Sequence, residues 1–342
     1  MTGSPDTVLT FGELLLRLSP PGDERLLQSA TLSATFGGCE ANVAVGLAQF
    51  GVPSRYVSCV PTNAIGDAAC RALRAEGVNV DAMLRRDARL GMYFLERGSG
   101  LRALRTVYDR AHSGFAQISA DDLHVDAWLA GVTWVHSSGI VPALGAGPAE
   151  ALHALFASAR ARGVRTSLDC NYRPALWQGR DPQPMITPLA SAVDVLIGNP
   201  DAFRIMLGVE TRGAMPEPPE ALFETARALH ARWGISHVAI TQREVHDAST
   251  HGWRAWLWHV ADDRLHDGGS YTVRVVDRVG GGDAFAAGLL TMLHEGVEAA
   301  QAIRFATAAG AHKLTVPGDW PRTTRTEIAA LAQGAHVRTS LA

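Results

Sequence analysis

The stretch that decides the fold is "RVVDRVGGGDAFAAGLL", residues 274–290. A β-branched run leads into three consecutive glycines, an aspartate follows at once, and apolar residues then recur at Phe285, Leu289, Met292 and Leu293. That recurrence is the stripe of an α-helix, so a helix is expected to begin near Asp283, with Gly280, Gly281 and Gly282 as its approach. Glycine admits positive φ and lets another group come close to the backbone. Exposed N–H groups at a helix start form a cradle for an anion, aided by the helix dipole. Two readings of Asp283 stand side by side. It is either a helix N-cap, or a base that takes a proton from a hydroxyl attacking a phosphate held by the cradle. For binding alone, a carboxylate beside a phosphate is a poor choice. Other phosphate motifs fail: a P-loop needs G-K-[ST], and the single lysine, Lys313, lies in "AHKLT". A dinucleotide fingerprint starting at Gly280 would need a small residue where Phe285 stands.

Outward from this stretch, short apolar runs alternate with helical patterns. Strands are expected at 7–11, 55–60, 132–137, 164–169, 193–198 and 237–241. Helices are expected at 39–51, at 64–77 with Asn63 as cap, at 148–163 and at 218–234. This rhythm predicts an α/β fold in three layers, a mostly parallel central sheet with helices on both faces. Residues 12–36 and 88–115 break it with short alternating segments such as "LLLRL" and "MYFLER". They read as an antiparallel flap or lid, or as two ordinary surface hairpins. Residues 208–220 read as a polar, proline-rich loop, and the last ~20 residues as loosely held.

Composition narrows the function classes. The chain has 342 residues, 47% hydrophobic and 19% charged, with a formal net charge of −3, so no basic field points to nucleic acid or an anionic membrane. No apolar run approaches a membrane span. The four cysteines form no C-x-x-C pair and no signal peptide precedes them, so a reducing cytoplasm is the expected compartment. "HEGVE" at His294 lacks the second histidine of a zinc-protease helix, and the 13 histidines read as surface or packing residues.

"DRVGGGDAFAAG" (277–288) and "FGGCEANVAVGLAQFG" (36–51) together resemble the C-terminal and N-terminal signatures of the ribokinase-like (PfkB-type) carbohydrate kinases. The resemblance covers nearly the whole chain, as one ribokinase-like domain over residues 1–342. Within that superfamily the similarity is strongest to 2-keto-3-deoxygluconate kinases, carried by "SLDCNYRPALW" (167–177), "GMYFLE" (91–96), "VYDRAHSGF" (107–115) and "LTVPGDW" (314–320). It implies a sugar-acid kinase that moves the γ-phosphoryl of ATP to the 6-hydroxyl of 2-keto-3-deoxygluconate. Asp283 would be the catalytic base and Gly280, Gly281 and Gly282 the anion hole. Gly37, Gly38, Asn42, Tyr93, Tyr108, Arg110, Arg173 and Asp319 would surround the acceptor. Asn199, Thr241 and Arg243, with Gly280 and Gly282, would meet the nucleotide. The implied cofactors are ATP and Mg²⁺, with a monovalent cation such as K⁺ held at Asp277. The implied assembly is a homodimer through the lid.

Residue chemistry fits an acid substrate. An arginine can bind a carboxylate in bidentate fashion, and Arg173 lies at a strand's C-terminal end, where open α/β sheets place ligands. A surface salt bridge is its other reading, and packing within the flap is the other reading of Tyr93 and Tyr108. The sequence departs from the family pattern at three places. Arg278 and Val279 follow Asp277 where threonines are common. In "NPDAF" Ala202 stands at a glutamate position, with either Asp201 or water left to complete the metal shell. "TQREVHDAS" replaces a glycine-bearing nucleotide loop. The competing expectations are a fructokinase, ribokinase, nucleoside kinase or 5-keto-2-deoxygluconate kinase on the same fold, or a non-catalytic sugar-binding regulator.

Overall fold

The computed structural model describes residues 7–211 and 216–334. Its strands, in chain order, are β1 (Thr7–Phe11), β2 (Leu15–Ser19), β3 (Ser33–Gly37), β4 (Ser54–Val57), β5 (Cys59–Pro61), β6 (Leu84–Arg86), β7 (Gly91–Glu96), β8 (Arg105–Asp109), β9 (Val132–Ser138), β10 (Arg165–Asp169), β11 (Val195–Gly198), β12 (His237–Val245), β13 (Thr250–His259) and β14 (Arg264–Arg274). The main sheet has the order β14-β13-β12-β11-β10-β9-β1-β4. Pairing is parallel from β4 through β12, and antiparallel across β12–β13 and β13–β14.

The strand side chains explain the two covered faces. Alternate residues of a strand point to opposite sides of a sheet. Val8, Trp134, Val195 and Ile197 accordingly pack on one side with Val43, Leu47, Leu289 and Ile303, while Leu9, Val135, Leu168 and Leu196 pack on the other with Leu152, Phe156, Leu222 and Leu229. Each such leucine taken fully from water contributes about 1.5–3 kcal/mol. The alternating rhythm of the sequence therefore produces the expected three layers.

Several details differ from the sequence expectation. The helix after the glycines spans Gly281–His294 and has no polar stripe; Gly281 and every residue from Asp283 to Leu293 are buried. It lies between the sheet and its helical neighbours, so the apolar period marks only part of its contact surface. One of those neighbours is the Cys39–Gln49 helix. A Cβ on Gly46 would stand 2.5 Å from the Ala287 Cβ, so the absence of a side chain at Gly46 sets how closely the two helices approach. The 55–60 run is split into β4 and β5 at Ser58. "TQREV" is no loop: it extends β12 to Val245 and pairs with β13. Of the last 20 residues, Arg325–Ala332 form a helix capped by the Thr324 side chain, while 335–342, like 212–215 of the proline-rich loop, lie outside the described residues.

The segments 12–36 and 88–115 do form a separate sheet, of order β3-β2-β7-β8. It is mixed rather than antiparallel. Two antiparallel hairpin-like pairs, β2–β3 and β7–β8, join through a parallel β2–β7 seam. The periodicity of each segment defines its faces, but it does not fix how two distant pairs meet. Asn63 caps the Ala64–Ala75 helix, accepting from the Ile65 and Gly66 amides. Among the described residues no helix is long and apolar enough to cross a membrane, and all four cysteines are free and buried.

Candidate active site

A cavity of about 550 Å³ opens between the small sheet and the C-terminal ends of the parallel strands. Its floor is the junction of two helix starts. The Gly281–His294 helix begins at Gly280, whose φ of 84° is left-handed. A side chain there would also meet the Asp319 carbonyl oxygen at 2.1 Å, so glycine is required twice over. Gly281 has Leu314 against it, at 2.8 Å from a built Cβ. Gly282 differs: a Cβ there would meet no protein atom within 4 Å, and the residue lines the cavity. Nothing in the fold needs that space, which leaves it for a ligand approaching the backbone. The first N–H groups of a helix have no intrahelical acceptor, so this turn presents donors to the cavity.

Asp283 is not the cap; Gly280 is, and Asp283 is the third residue of the first turn. Its carboxylate is gripped from the facing helix start, with Asn42 Nδ2 donating to Oδ2 at 2.6 Å and the Cys39 thiol to Oδ1 at 3.2 Å. Burial raises its pKa, against the opposing pull of these two hydrogen bonds and of Arg173. Asp169, at the end of β10, is raised to about 7, first by burial and then by the neighbouring Asp283 charge. Cys39, Asp169 and Asp283 offer ligand atoms within 4.8 Å of one another. The thiol is a poor donor for a hard cation, whereas the carboxylates are suitable. Asp169 and Asp201, both on the cavity wall, thus provide oxygen donors that fit Mg²⁺ bound largely through water and phosphate oxygens.

Besides Arg110, the wall carries three arginines, Arg173, Arg243 and Arg278. None forms an ion pair with a carboxylate among the described residues. Desolvation lowers the Arg243 pKa to about 10, helped by repulsion from Arg278 and Arg173. Arg278 is lowered by desolvation and by Arg173. Three guanidinium groups that face one cavity and repel one another make a strong anion field. Arg278 was not anticipated as a site residue, although its place two residues before the glycines marks it.

The anticipated acceptor residues separate into two groups. Gly38, Asn42, Tyr93, Tyr108, Arg110, Arg173 and Asp319 line the cavity; Gly37 does not. Gly37 instead makes room for Asp319, whose Oδ2 would lie 2.0 Å from a Cβ there. Besides Asn42, three of the lining residues are engaged with the protein itself. Arg110 pairs with buried Glu13, its Nε donating to Oε2 at 2.7 Å. Tyr93 donates its hydroxyl to Asp319 at 2.6–2.7 Å. Asp319 also accepts from Arg17 Nη1 at 2.7 Å. Tyr108 stays half open at 39% exposure, its ring 6.0 Å from that of Tyr93. Of the nucleotide candidates, Asn199, Thr241 and Arg243 all line the cavity. Asn199 Oδ1 caps the Pro200–Leu207 helix by accepting from Ala202 N, which leaves its amide nitrogen for the cavity.

Asp277 needs correction as a cation ligand. Its Oδ2 accepts from Arg17 Nη2 at 2.5 Å and from Gly318 N at 3.1 Å, and its Oδ1 from Val279 N at 3.1 Å. Its carbonyl oxygen faces the Lys313 ammonium at 3.4 Å. A fixed positive charge already holds the oxygens that a monovalent ion would use, so this corner does not fit K⁺. Arg17, on β2, escaped the sequence reading because its partners lie at the far end of the chain.

The class these features define is a phosphotransferase built on a ribokinase-like fold. Residues 6–323 match the family described as pfkB family carbohydrate kinase; the chain belongs to that family and is an ATP-dependent carbohydrate kinase. It is 30% identical over 327 residues to a 2-dehydro-3-deoxygalactonokinase of Haloferax volcanii, covering 96% of both chains. It is 28% identical to a 2-dehydro-3-deoxygluconokinase of Thermoproteus tenax, covering 92% of this chain and 90% of that one. The crystal structure of a 2-dehydro-3-deoxygluconokinase from Thermotoga maritima superposes with a TM-score of 0.92 at 37% identity, covering 96% of this chain and 100% of that one.

Proposed function

We propose that the chain transfers the γ-phosphoryl group of ATP to the primary 6-hydroxyl of 2-keto-3-deoxygluconate, giving the 6-phosphate, with Asp283 as general base. The observation that carries this reading is the Asp283 carboxylate, clasped by Asn42 and Cys39 from a second helix and set beside an open helix start. The Asn42 and Cys39 hydrogen bonds favour its ionised form, as a base requires. The acceptor hydroxyl lies against Asp283, and charge developing on the transferred group meets the amides of Gly280, Gly281, Gly282 and Asp283. Mg²⁺, when bound beside Asp169 and Asp201, neutralises phosphate charge. Arg243 and Arg278 receive the remaining phosphate charge. Arg173 takes the substrate carboxylate, and the small sheet closes over the sugar and excludes water as a competing acceptor.

The three unpaired arginines favour an acid over a neutral sugar such as fructose or ribose. A second reading is the acid epimeric at C4, since a relative of similar identity is named for 2-dehydro-3-deoxygalactonate. ADP release measured over a panel of both keto-deoxy acids, fructose, ribose, a nucleoside and 5-keto-2-deoxygluconate separates these readings. The proposal requires a keto-deoxy acid to give the highest kcat/KM. Asp283→Asn should then keep the fold and ATP binding while kcat falls by about 10²–10⁴-fold; near-normal turnover would reject the base.

A further inference from the structure

The only lysine in the chain, Lys313, is fully buried. It ends the Ala299–Lys313 helix, and its aliphatic stem runs beneath the glycine turn, with Cε 3.1 Å from where a Gly280 Cβ would stand. A buried ammonium is costly unless its hydrogens are matched. Here its partners are main-chain carbonyls: Nζ donates to Val316 O at 3.0 Å and to Asp277 O at 3.4 Å. No carboxylate pairs with it among the described residues, although Asp277, Asp319 and Asp283 all act on it electrostatically. The same two loops are tied by amides, Val276 N and Asp277 N donating to Leu314 O at 2.8 and 3.2 Å. A compact cation held by one carbonyl oxygen from each side, between the loop that enters the glycine turn and the loop that carries Asp319, is the arrangement by which a free monovalent ion would pin such loops.

We infer that Lys313 is a built-in monovalent cation. Its ammonium fixes the 275–280 loop and so the amide cradle, and the kinase works without K⁺ or any other free monovalent ion. Lys313 touches no reacting atom in this assignment; it is a positioning residue. The inference rests on residues 280–283 being the phosphate cradle.

The test is turnover of the wild-type protein with Mg²⁺ and ATP as tetramethylammonium salts, compared with added KCl, NH₄Cl or NaCl. The expected rates agree within about twofold; a tenfold or greater stimulation by K⁺ overturns the inference. Lys313→Ala leaves room for an ion and Lys313→Met fills that room. Without monovalent ions both should lose at least tenfold in kcat, with a raised KM for ATP. KCl or NH₄Cl should restore the Ala variant and not the Met variant, and should raise the melting temperature of the Ala variant alone. A folded Ala variant that is fully active without ions, or inactive and unrescued with them, overturns the inference. If neither variant folds, the wild-type arm decides. Failure of the cradle assignment is separable, because it would show as undiminished turnover in Asp283→Asn whatever the salt.

Discussion

Arg17 and Asp319, 302 residues apart in the chain, meet through a 2.7 Å ion pair in which both side chains are almost wholly buried. The guanidinium reaches from the small sheet into the catalytic corner and holds Asp277 with its other arm. Burial works against its charge, but Asp277 and Asp319 outweigh that cost and hold its pKa above the ordinary arginine value. Replacing Arg17 with methionine would strand two buried carboxylates. The expected cost is about 3–5 kcal/mol of unfolding free energy, read from urea denaturation. A loss below about 1 kcal/mol would show that the triad does not tie the small sheet to the corner.

Gly280 and Gly282 are neighbours in the same turn but should respond oppositely to alanine. At Gly280 the positive φ and the Asp319 carbonyl leave no space, so Gly280→Ala should melt at a clearly lower temperature. At Gly282 no protein atom objects. Gly282→Ala should stay within about 0.5 kcal/mol of wild-type stability, yet raise the KM for ATP or lower kcat at least tenfold. Unchanged kinetics in Gly282→Ala would remove the cradle from the phosphate path.

Arg173 projects into the cavity without an ion-pair partner among the described residues. If it binds the acceptor carboxylate, Arg173→Ala removes a charge-assisted hydrogen bond of about 1.5–3 kcal/mol. The kcat/KM for the keto acid should then fall about 10–100-fold, with the KM for ATP changed far less. An equal rise in both KM values would reassign Arg173 to the triphosphate.

The pH profile tests the base directly. Asp283 must be ionised to accept a proton, and burial holds its folded-state pKa above the ordinary aspartate value. Activity should therefore be lost as pH falls through that raised value, earlier than for an exposed aspartate. The Asn42 hydrogen bond favours the ionised form. Asn42→Ala should move the acid limb of log kcat to higher pH; a shift the other way, or none, would argue against Asp283 as the titrating group.

What was readable in advance has a physical pattern. The glycine turn, the Asn63 cap and the strand–helix rhythm depend on residues close in the chain, and local rules expose them. Asn42 and Asp283 could be placed because each lies in a signature. Arg17 and Lys313 carry no local mark. Arg17 alternates along its strand as a solvent-facing residue would, and Lys313 ends a helix, where a basic residue is ordinary. Their importance comes from partners that only the assembled tertiary structure supplies. Asp277 shows the same limit from the other side: its place in a motif suggested an ion ligand, and the lysine whose ammonium meets its carbonyl lies 36 residues away. The parallel β2–β7 seam was equally hidden, because alternation defines the faces of a strand and not the direction of its partner.

The clasp between Asn42 and Asp283 spans 241 positions. A ribosome must therefore release almost the entire polypeptide before the Asp283 carboxylate can find its holder, and no N-terminal fragment can assemble this pair. Turnover in a refolding experiment thus times the closing step of the whole fold, and should lag behind any spectroscopic signal from the early strands.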